Sequence, residues 1–425
     1  MKKGELSSTD PYKGVRDFYP EDFARLKGMF DRIREVLGLW GYEEYGASPL
    51  ERSELYESKG NEEIIREQTY SFEDRGGRRV TLRPEMTPSL ARMVAARRRE
   101  LPFPLRWYSI GNRFRYERPQ KGRLREFFQA DVDLVGLAEG EADMEILALA
   151  SEILKRFGAT EKDFVIRVNS RTLLSAACAN AGFRSEESIR NYWRLLDKKS
   201  KMTKEEFSAA RGPAKEDPLA IIEAGTDADV KKEKDKLAAL LAALKERGVG
   251  NAVFDPEIVR GFDYYTGVIF EIFDTNPANP RSMFGGGRYD GLVSLFGGAP
   301  IPAIGFAIGD VLLADFLATH GYDAASSSAL PQLYVGTPSS ADAPRAQLFA
   351  ASMRKAGVRT FVNLKDRPLG EQIKEAGKRD IPYFAAYGEQ EERDGTIALK
   401  RLSSREEMRA RPEDAAREIL GTKES

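Results

Sequence analysis

Apolar residues recur between positions 21 and 40 at Phe23, Leu26, Phe30, Ile33, Leu37 and Trp40, spaced three, four, three, four and three apart. This spacing draws one stripe down an α-helix, and Pro20 stands where a helix start tolerates proline. The stripe packs on its own domain or on a second subunit; spacing alone does not choose. A short strand is predicted at 42–45, ending near Pro49. Residues 69–73 and 79–82 flank Asp74-Arg-Gly-Gly77 and read as a hairpin with a glycine-rich turn. A helix is predicted over 86–98. Strand-like runs follow at 105–112, 113–117 and 127–135, with a polar loop at 118–125 before the last. Strands joined by short loops imply an antiparallel sheet.

The pattern changes near residue 170. From there to about 250 it is helical and highly charged, with helices predicted at 185–196, 204–210 and 229–247. Strand character returns at 251–259 and 264–273. Such a segment reads as a helical insertion within an α+β domain. Residues 323–329, Asp-Ala-Ala-Ser-Ser-Ser-Ala, are small and polar and read as a linker. Beyond them, strands at 333–336, 360–363, 383–386 and 396–402 alternate with helices at 343–356 and 369–378. That alternation predicts a second domain of βαβ type with a largely parallel sheet. The expected domains are therefore 1–325, with the insertion at about 170–250, and 331–425.

Composition narrows the chemistry. A length of 425 residues suits two to three domains at about 150 residues each. Lys plus Arg is 66 and Asp plus Glu is 67, which excludes a uniformly basic coat for nucleic acid. Cys178 is the only cysteine and His320 the only histidine, so an internal disulfide, a Cys-rich zinc site and a multi-histidine metal site are excluded. His320, in Ala-Thr-His-Gly, reads as a helix end. Cys178, among small residues, reads as helix packing. No apolar run follows the N-terminal lysines and none of about 18 residues occurs anywhere, so neither a secretory signal nor a membrane span is expected. A soluble cytoplasmic protein is the expectation.

Charge is unevenly placed. From Arg92 to Arg125 there are 11 Lys or Arg against Glu100 and Glu117 only. Arginines around a strand–loop–strand can aim planar guanidinium forks at one polyanion from two sides, and Arg115 and Arg123 are so placed. This reads as phosphate or nucleic-acid contact more than as a plain surface loop. A second constellation, Val259-Arg-Gly-Phe-Asp-Tyr-Tyr-Thr-Gly267, offers stacking faces and hydroxyls to a polar ligand, or else a turn with an Arg–Asp pair. A third, Phe284-Gly-Gly-Gly-Arg-Tyr-Asp-Gly291, reads chiefly as a tight turn before a helix, with anion approach at a helix N-terminus as the other reading. It is neither a Walker A loop nor a dinucleotide fingerprint.

Together these segments resemble the class II aminoacyl-tRNA synthetases, and histidyl-tRNA synthetases among them. The resemblance rests on Phe114-Arg-Tyr-Glu-Arg-Pro-Gln-Lys-Gly-Arg-Leu-Arg-Glu-Phe127, Arg260-Gly-Phe-Asp-Tyr-Tyr-Thr-Gly267 and Gly285-Gly-Gly-Arg-Tyr-Asp-Gly291. Tyr12-Lys-Gly-Val-Arg-Asp17, Thr81-Leu-Arg-Pro-Glu85 and Arg367-Pro-Leu-Gly-Glu-Gln-Ile-Lys374 extend it over nearly the whole chain. It implies an α+β catalytic core with an antiparallel sheet and a C-terminal α/β anticodon-binding domain. It also implies a ligase that activates L-histidine with ATP and transfers it to tRNA(His), as a homodimer. Arg115 would meet the ATP α-phosphate, Arg123 the outer phosphates with Mg²⁺, and Phe127 the adenine. Arg260 would stand against the α-phosphate. Glu85, Thr87, Gln129, Asp133, Tyr264 and Tyr265 would surround histidine, with Asp133 reaching for its α-amino group. Arg118, Gln120, Lys121 and Arg125 would lie near the tRNA acceptor end.

One position departs from the family pattern. Within Gly305-Phe-Ala-Ile-Gly-Asp-Val-Leu-Leu313, Leu312 stands where the family's third motif carries an arginine against adenine. A cation–π stack of that kind is worth roughly 0.5–2 kcal/mol. The departure keeps a second reading in play, a non-catalytic paralogue such as an ATP phosphoribosyltransferase regulatory subunit. Paralogues of that type lack the C-terminal domain expected here. A tRNA-binding scaffold without catalysis is a third reading. Residues 331–425 hold 17 basic and 15 acidic residues, so RNA reading there would depend on shape and stacking more than on bulk charge.

The Arg260 assignment is testable directly. Arg260→Ala is expected to slow adenylate formation by about 10²–10³ while leaving histidine and ATP binding near normal, because a charge at the α-phosphate acts mainly in the transition state. Single-turnover rates beside equilibrium binding make the check, and a near-unaltered rate sinks the role.

Overall fold

The computed structural model describes residues 8–57, 68–118, 120, 122–199, 202–211, 216–259, 264–322 and 330–421. The chain forms two compact units, Met1–Ser326 and Ser327–Ser425. The linker expected at 323–329 lies outside the described residues.

The first unit contains β1 (Glu43–Glu44), β2 (Leu50–Arg52), β3 (Tyr70–Glu73), β4 (Arg79–Leu82), β5 (Leu105–Phe114), β6 (Glu126–Val135), β7 (Phe164–Ser170), β8 (Ala252–Phe254), β9 (Val268–Asp274), β10 (Ser282–Arg288) and β11 (Ala303–Gly309). Eight of these form one sheet in the order β1-β5-β6-β11-β10-β9-β7-β8. Its pairings are antiparallel except at the two edges, where β1 runs parallel to β5 and β8 to β7. The predicted hairpin is β3–β4, which with β2 makes a small separate sheet.

The amphipathic helix spans Pro20–Leu39. Its stripe buries Leu26, Phe30, Ile33 and Leu37 against the large sheet and the helix Glu141–Arg156, while Phe23 at its start stays 44% exposed. The helix expected over 86–98 forms at Thr87–Arg97. The insertion between β7 and β8 carries helices Arg171–Asn180, Glu186–Asp197, Lys204–Ala210, Pro218–Ala224 and Ala228–Glu246. Ser185, Thr203, Asp217 and Asp227 cap four of them through side-chain oxygens, as N-cap residues do. Cys178 is fully buried in the first of these helices, and burial pushes its thiol up to about 12, so it packs and does not react. His320 ends the helix Asp310–His320 and pairs through Nε2 with Asp274 at 2.8 Å.

Two strand assignments need correction. The runs 105–112 and 113–117 are one strand ending at Phe114, and Arg115–Glu117 is irregular backbone. Arg113 nonetheless belongs to the sheet interior: its side chain is fully buried and pairs with Asp131 across the β5–β6 ladder at 2.6 Å. Gly285–Gly287 is neither a turn nor a helix start but the middle of β10. A Cβ on Gly286 would sit 1.9 Å from the Gly305 carbonyl oxygen, and one on Gly285 2.3 Å from that of Phe270. These glycines serve close approach of strands.

The second unit is a five-stranded sheet in the order β13-β12-β14-β15-β16, with β12 (Leu333–Gly336), β13 (Thr360–Val362), β14 (Tyr383–Ala386), β15 (Ile397–Arg401) and β16 (Glu407–Ala410). β12, β13 and β14 are parallel and β15 and β16 antiparallel. Helices Ala343–Lys355, Leu369–Lys378 and Pro412–Leu420 accompany it. The periodic reading missed β16 and the last helix, because a four-residue exposed strand carries no apolar alternation.

Gly286→Ala is expected to cost about 3 kcal/mol of stability, since the obstacle is backbone and not a flexible side chain. Denaturant unfolding monitored on the first unit measures it, and a midpoint equal to the unsubstituted protein's would refute the close approach.

Candidate active site

A cavity opens over the centre of the large sheet, lined by Glu85, Thr87, Arg115, Gln129, Asp131, Asp133, Tyr264, Tyr265, Gly285, Tyr289 and Gly305, among others. Its floor is glycine. A Cβ on Gly305 would lie 2.4 Å from Asp133 Oδ1, so a side chain there would displace the carboxylate. Its walls come from separate elements. Gln129, Asp131 and Asp133 alternate along one face of β6, as a strand's period of two requires. Glu85 and Thr87 stand where β4 gives way to the helix Thr87–Arg97. Tyr264 and Tyr265 precede β9, and Tyr289 follows β10.

Two tyrosine–carboxyl pairs define the interior. The Tyr264 hydroxyl donates to Glu85 Oε2 at 2.7 Å. The Tyr289 hydroxyl donates to Asp133 Oδ1, while the buried Oδ2 of Asp133 has no hydrogen-bond partner among the described residues. All four side chains are buried, and the Tyr264 and Tyr265 rings meet edge-on with centroids 5.1 Å apart. Burial pushes the Glu85 carboxyl up to about 7, against the pull of the Tyr264 hydrogen bond and the Arg115 charge. Burial likewise pushes Asp133 up to about 8, opposed by Tyr289 and reinforced by Asp131. Both native values lie above the unfolded one. Their contribution to folding stability is therefore full below about pH 4 and is lost as pH rises through 7 and 8. An incoming cation would reverse the balance by favouring the ionised carboxylates.

Arg115 bridges this cavity and the loop beyond it. Its Nε donates to the Pro84 carbonyl at 3.0 Å, and its guanidinium lies over the Phe127 ring at 5.4 Å. Arg123 is more than half exposed and pairs with Glu117 at 3.0 Å. Arg118 and Gln120 are exposed. Arg125 is half-buried: its guanidinium lies over the Tyr116 ring at 4.1 Å and donates to the Tyr12 hydroxyl at 2.9 Å. Arg260 and Lys121 lie outside the described residues. Leu312, near the start of the helix Asp310–His320, packs on the loop at Gly122, where a Cβ would be 2.7 Å from its Cδ2.

The segment Tyr12–Asp17 supports the loop from beneath. The Arg125 amide donates to the Gly14 carbonyl at 2.7 Å, and Arg16 pairs with Asp310 at 2.5 Å. Asp310 also accepts from the Phe128 amide at 2.9 Å. The structure thus brings together Glu85, Thr87, Arg115, Gln129, Asp133, Tyr264 and Tyr265 at one cavity, with Arg123 and Phe127 along its entrance strand and loop.

Two cavity residues were missed from the sequence. Tyr289 sat inside a quoted motif, and only its offset from Asp133 across β10 and β11 reveals it. Asp131 was hidden between Gln129 and Asp133, although the alternation along β6 would have found it. A larger surface cavity bordered by Trp40, Arg106, Glu141, Glu145 and Arg247 shows no such convergence; Arg106 is already paired with Glu145 at 2.7 Å and Arg247 with Glu141 at 3.0 Å.

Comparison with known proteins follows the same division of the chain. Residues 14–310 match the family model of histidyl-tRNA synthetase, and residues 332–422 match that of an anticodon binding domain. The histidine–tRNA ligase of Leptospira biflexa is 40% identical, with 96% of each chain covered. That of Thermococcus kodakarensis is 36% identical, with 98% of this chain and 99% of the relative covered. The crystal structure of histidyl-tRNA synthetase from a Nostoc species superposes with a TM-score of 0.77 at 25% identity, covering 97% of this chain and 99% of that one. A cavity with two buried carboxyls, Arg115 in its lining just beyond β5, and matches of this extent leave one assignment: the chain belongs to the histidyl-tRNA synthetase family.

Proposed function

We propose that the protein is a histidine–tRNA ligase that forms histidyl-adenylate from L-histidine and ATP and then charges tRNA(His). The observation that carries the reading is the juxtaposition of the Glu85–Tyr264 and Asp133–Tyr289 pairs with Arg115 at one cavity mouth. Histidine brings an ammonium group and an imidazole, which carboxylates and hydroxyls recognise by hydrogen bonds. Its carboxylate is already a nucleophile and needs no base. A carboxylate oxygen attacks the α-phosphorus, the bond to the bridging oxygen breaks, and pyrophosphate leaves. In the second step a terminal ribose hydroxyl of tRNA attacks the carbonyl carbon, and AMP leaves.

The protein's task is alignment and charge neutralisation. Glu85, Thr87, Gln129, Asp133, Tyr264 and Tyr265 hold histidine. Arg115 meets the α-phosphate from its perch on Pro84, Arg123 the outer phosphates, and Phe127 the adenine. Arg260 adds charge at the α-phosphate. Among the described residues no group of three or more His, Cys, Asp or Glu side chains is gathered to hold a metal ion. Mg²⁺ would accompany the nucleotide, as counter-ion to its outer phosphates. The acceptor end of tRNA approaches the loop through Arg118, Gln120, Lys121 and Arg125, and the C-terminal domain reads the anticodon. A homodimer belongs to the same proposed reading. No helix among the described residues is long and apolar enough to cross a membrane; the proposed location is the cytoplasm. The match at 332–422 weighs against the regulatory paralogue.

Histidine-dependent ATP–pyrophosphate exchange tests the reading, with other amino acids as controls. Exchange is expected with histidine alone; histidine binding without exchange would move the protein to the regulatory class.

The raised carboxyl values give a second expectation. Because a cation favours the ionised forms, histidine binding at pH 7 should release protons, and affinity should tighten by about tenfold from pH 6 to pH 8. Calorimetry in buffers of different ionisation enthalpy reads both. Proton uptake, or affinity flat across that range, would contradict the placement of Glu85 and Asp133 against the substrate.

A further inference from the structure

Arg281 stands at the entry to β10, exposed, and was part of no motif. Its Nη2 donates to Gln120 Oε1 at 3.1 Å. Gln120 and Arg123 exchange backbone hydrogen bonds, at 3.2 Å and 2.9 Å, so one tight turn carries Arg123 and also receives Arg281. Gly122 forms the inside of that turn at φ +78°, and its bare α-carbon is approached from two sides. A Cβ there would lie 2.7 Å from Leu312 Cδ2 and 3.9 Å from Arg281 Nη1. The convergence follows from the sheet. β10 pairs with β11 with Phe284 opposite Ile308, so the chain just before β10 lies beside the chain just after β11.

The place therefore has an apolar side chain from one strand's end and a guanidinium from its neighbour's start. We propose that Arg281 is a nucleotide-binding residue that holds the outer phosphates of ATP beside Arg123, on the flank where Leu312 supplies no charge. The proposal rests on the ligase reading above. Its chemistry is that of a guanidinium fork and a polyphosphate. The bond to Gln120 is to a neutral amide oxygen, and a phosphate oxygen is the stronger acceptor. The turn then does two things at once: it presents Arg123, and its Gln120 holds Arg281 before nucleotide arrives. Pre-positioning of this kind lowers the ordering cost of binding.

Arg281→Ala and Arg281→Lys in the full chain test the proposal by pyrophosphate exchange. Arg281→Ala is expected to raise the KM for ATP about tenfold and to weaken inhibition by pyrophosphate similarly. The KM for histidine and inhibition by AMP, which lacks the outer phosphates, should stay within about twofold. Arg281→Lys, retaining the charge, should recover much of the loss. An unchanged KM for ATP, or an equal loss for AMP, overturns the assignment. A merely structural role would move histidine and ATP together, which likewise overturns it. Absence of exchange in the unsubstituted protein strikes the ligase reading instead, and calorimetric ATP binding by the unsubstituted protein and Arg281→Ala still reads Arg281 separately.

Discussion

The structure depends on strands β9, β10, β11 and β6 lying so close that no side chain fits at the glycines of β10 and β11. Gly285 and Gly305 leave the cavity face of the eight-stranded sheet bare at its centre, while Gly286, next to Gly285 in the same strand, faces the other side. Everything else in the site stands on that surface. Asp133 can turn its carboxylate over Gly305 only because Gly305 has no Cβ, and Tyr289 reaches across β11 to hold it. Glycine costs backbone entropy in a strand, roughly 0.5–1 kcal/mol each relative to alanine. Here that cost goes with a flat floor over which the Asp133 carboxylate and the Tyr289 hydroxyl meet.

Burial gives those polar groups their character. Glu85 and Asp133 are carboxyls in a cavity walled by aromatic rings, each touching one tyrosine hydroxyl. Without a cation nearby, desolvation outweighs the hydrogen bonds and both groups tend to keep their protons near neutrality. Asp131 on the same face is instead paired with the buried Arg113 at 2.6 Å. Removing either partner of that pair would strand a charge in the sheet interior at about 3–5 kcal/mol. The result is a strand whose Asp131 is tied into the sheet by Arg113, while Gln129 and Asp133 on either side of it line the cavity.

Much of this was legible in the sequence. The apolar stripe of residues 26–37, the helices of the insertion and the βαβ pattern after 330 follow from periodicity, which burial dictates directly. The motif residues Glu85, Arg115, Gln129, Asp133 and Tyr264 were legible by resemblance, and they meet at one cavity. What escaped depends on contacts between distant segments. The glycine run looked like a turn because the pressure on it comes from residues 270 and 305, not from its neighbours. The 113–117 run looked like a fresh strand because Arg113 is polar, and its burial is explained only by Asp131, 18 residues on. Tyr289 and Arg281 act across strand pairings that no local pattern encodes.

The strand order also carries a consequence for synthesis. β11 is the last strand of the large sheet to leave the ribosome, yet it lies in the interior between β6 and β10. Until it inserts, β1-β5-β6 on one side and β10-β9-β7-β8 on the other each present an open edge of unpaired backbone. Such edges are where chains pair wrongly with one another. The nascent protein must keep two half-sheets apart for the time needed to translate residues 289–309, and then close both edges with a single seven-residue strand.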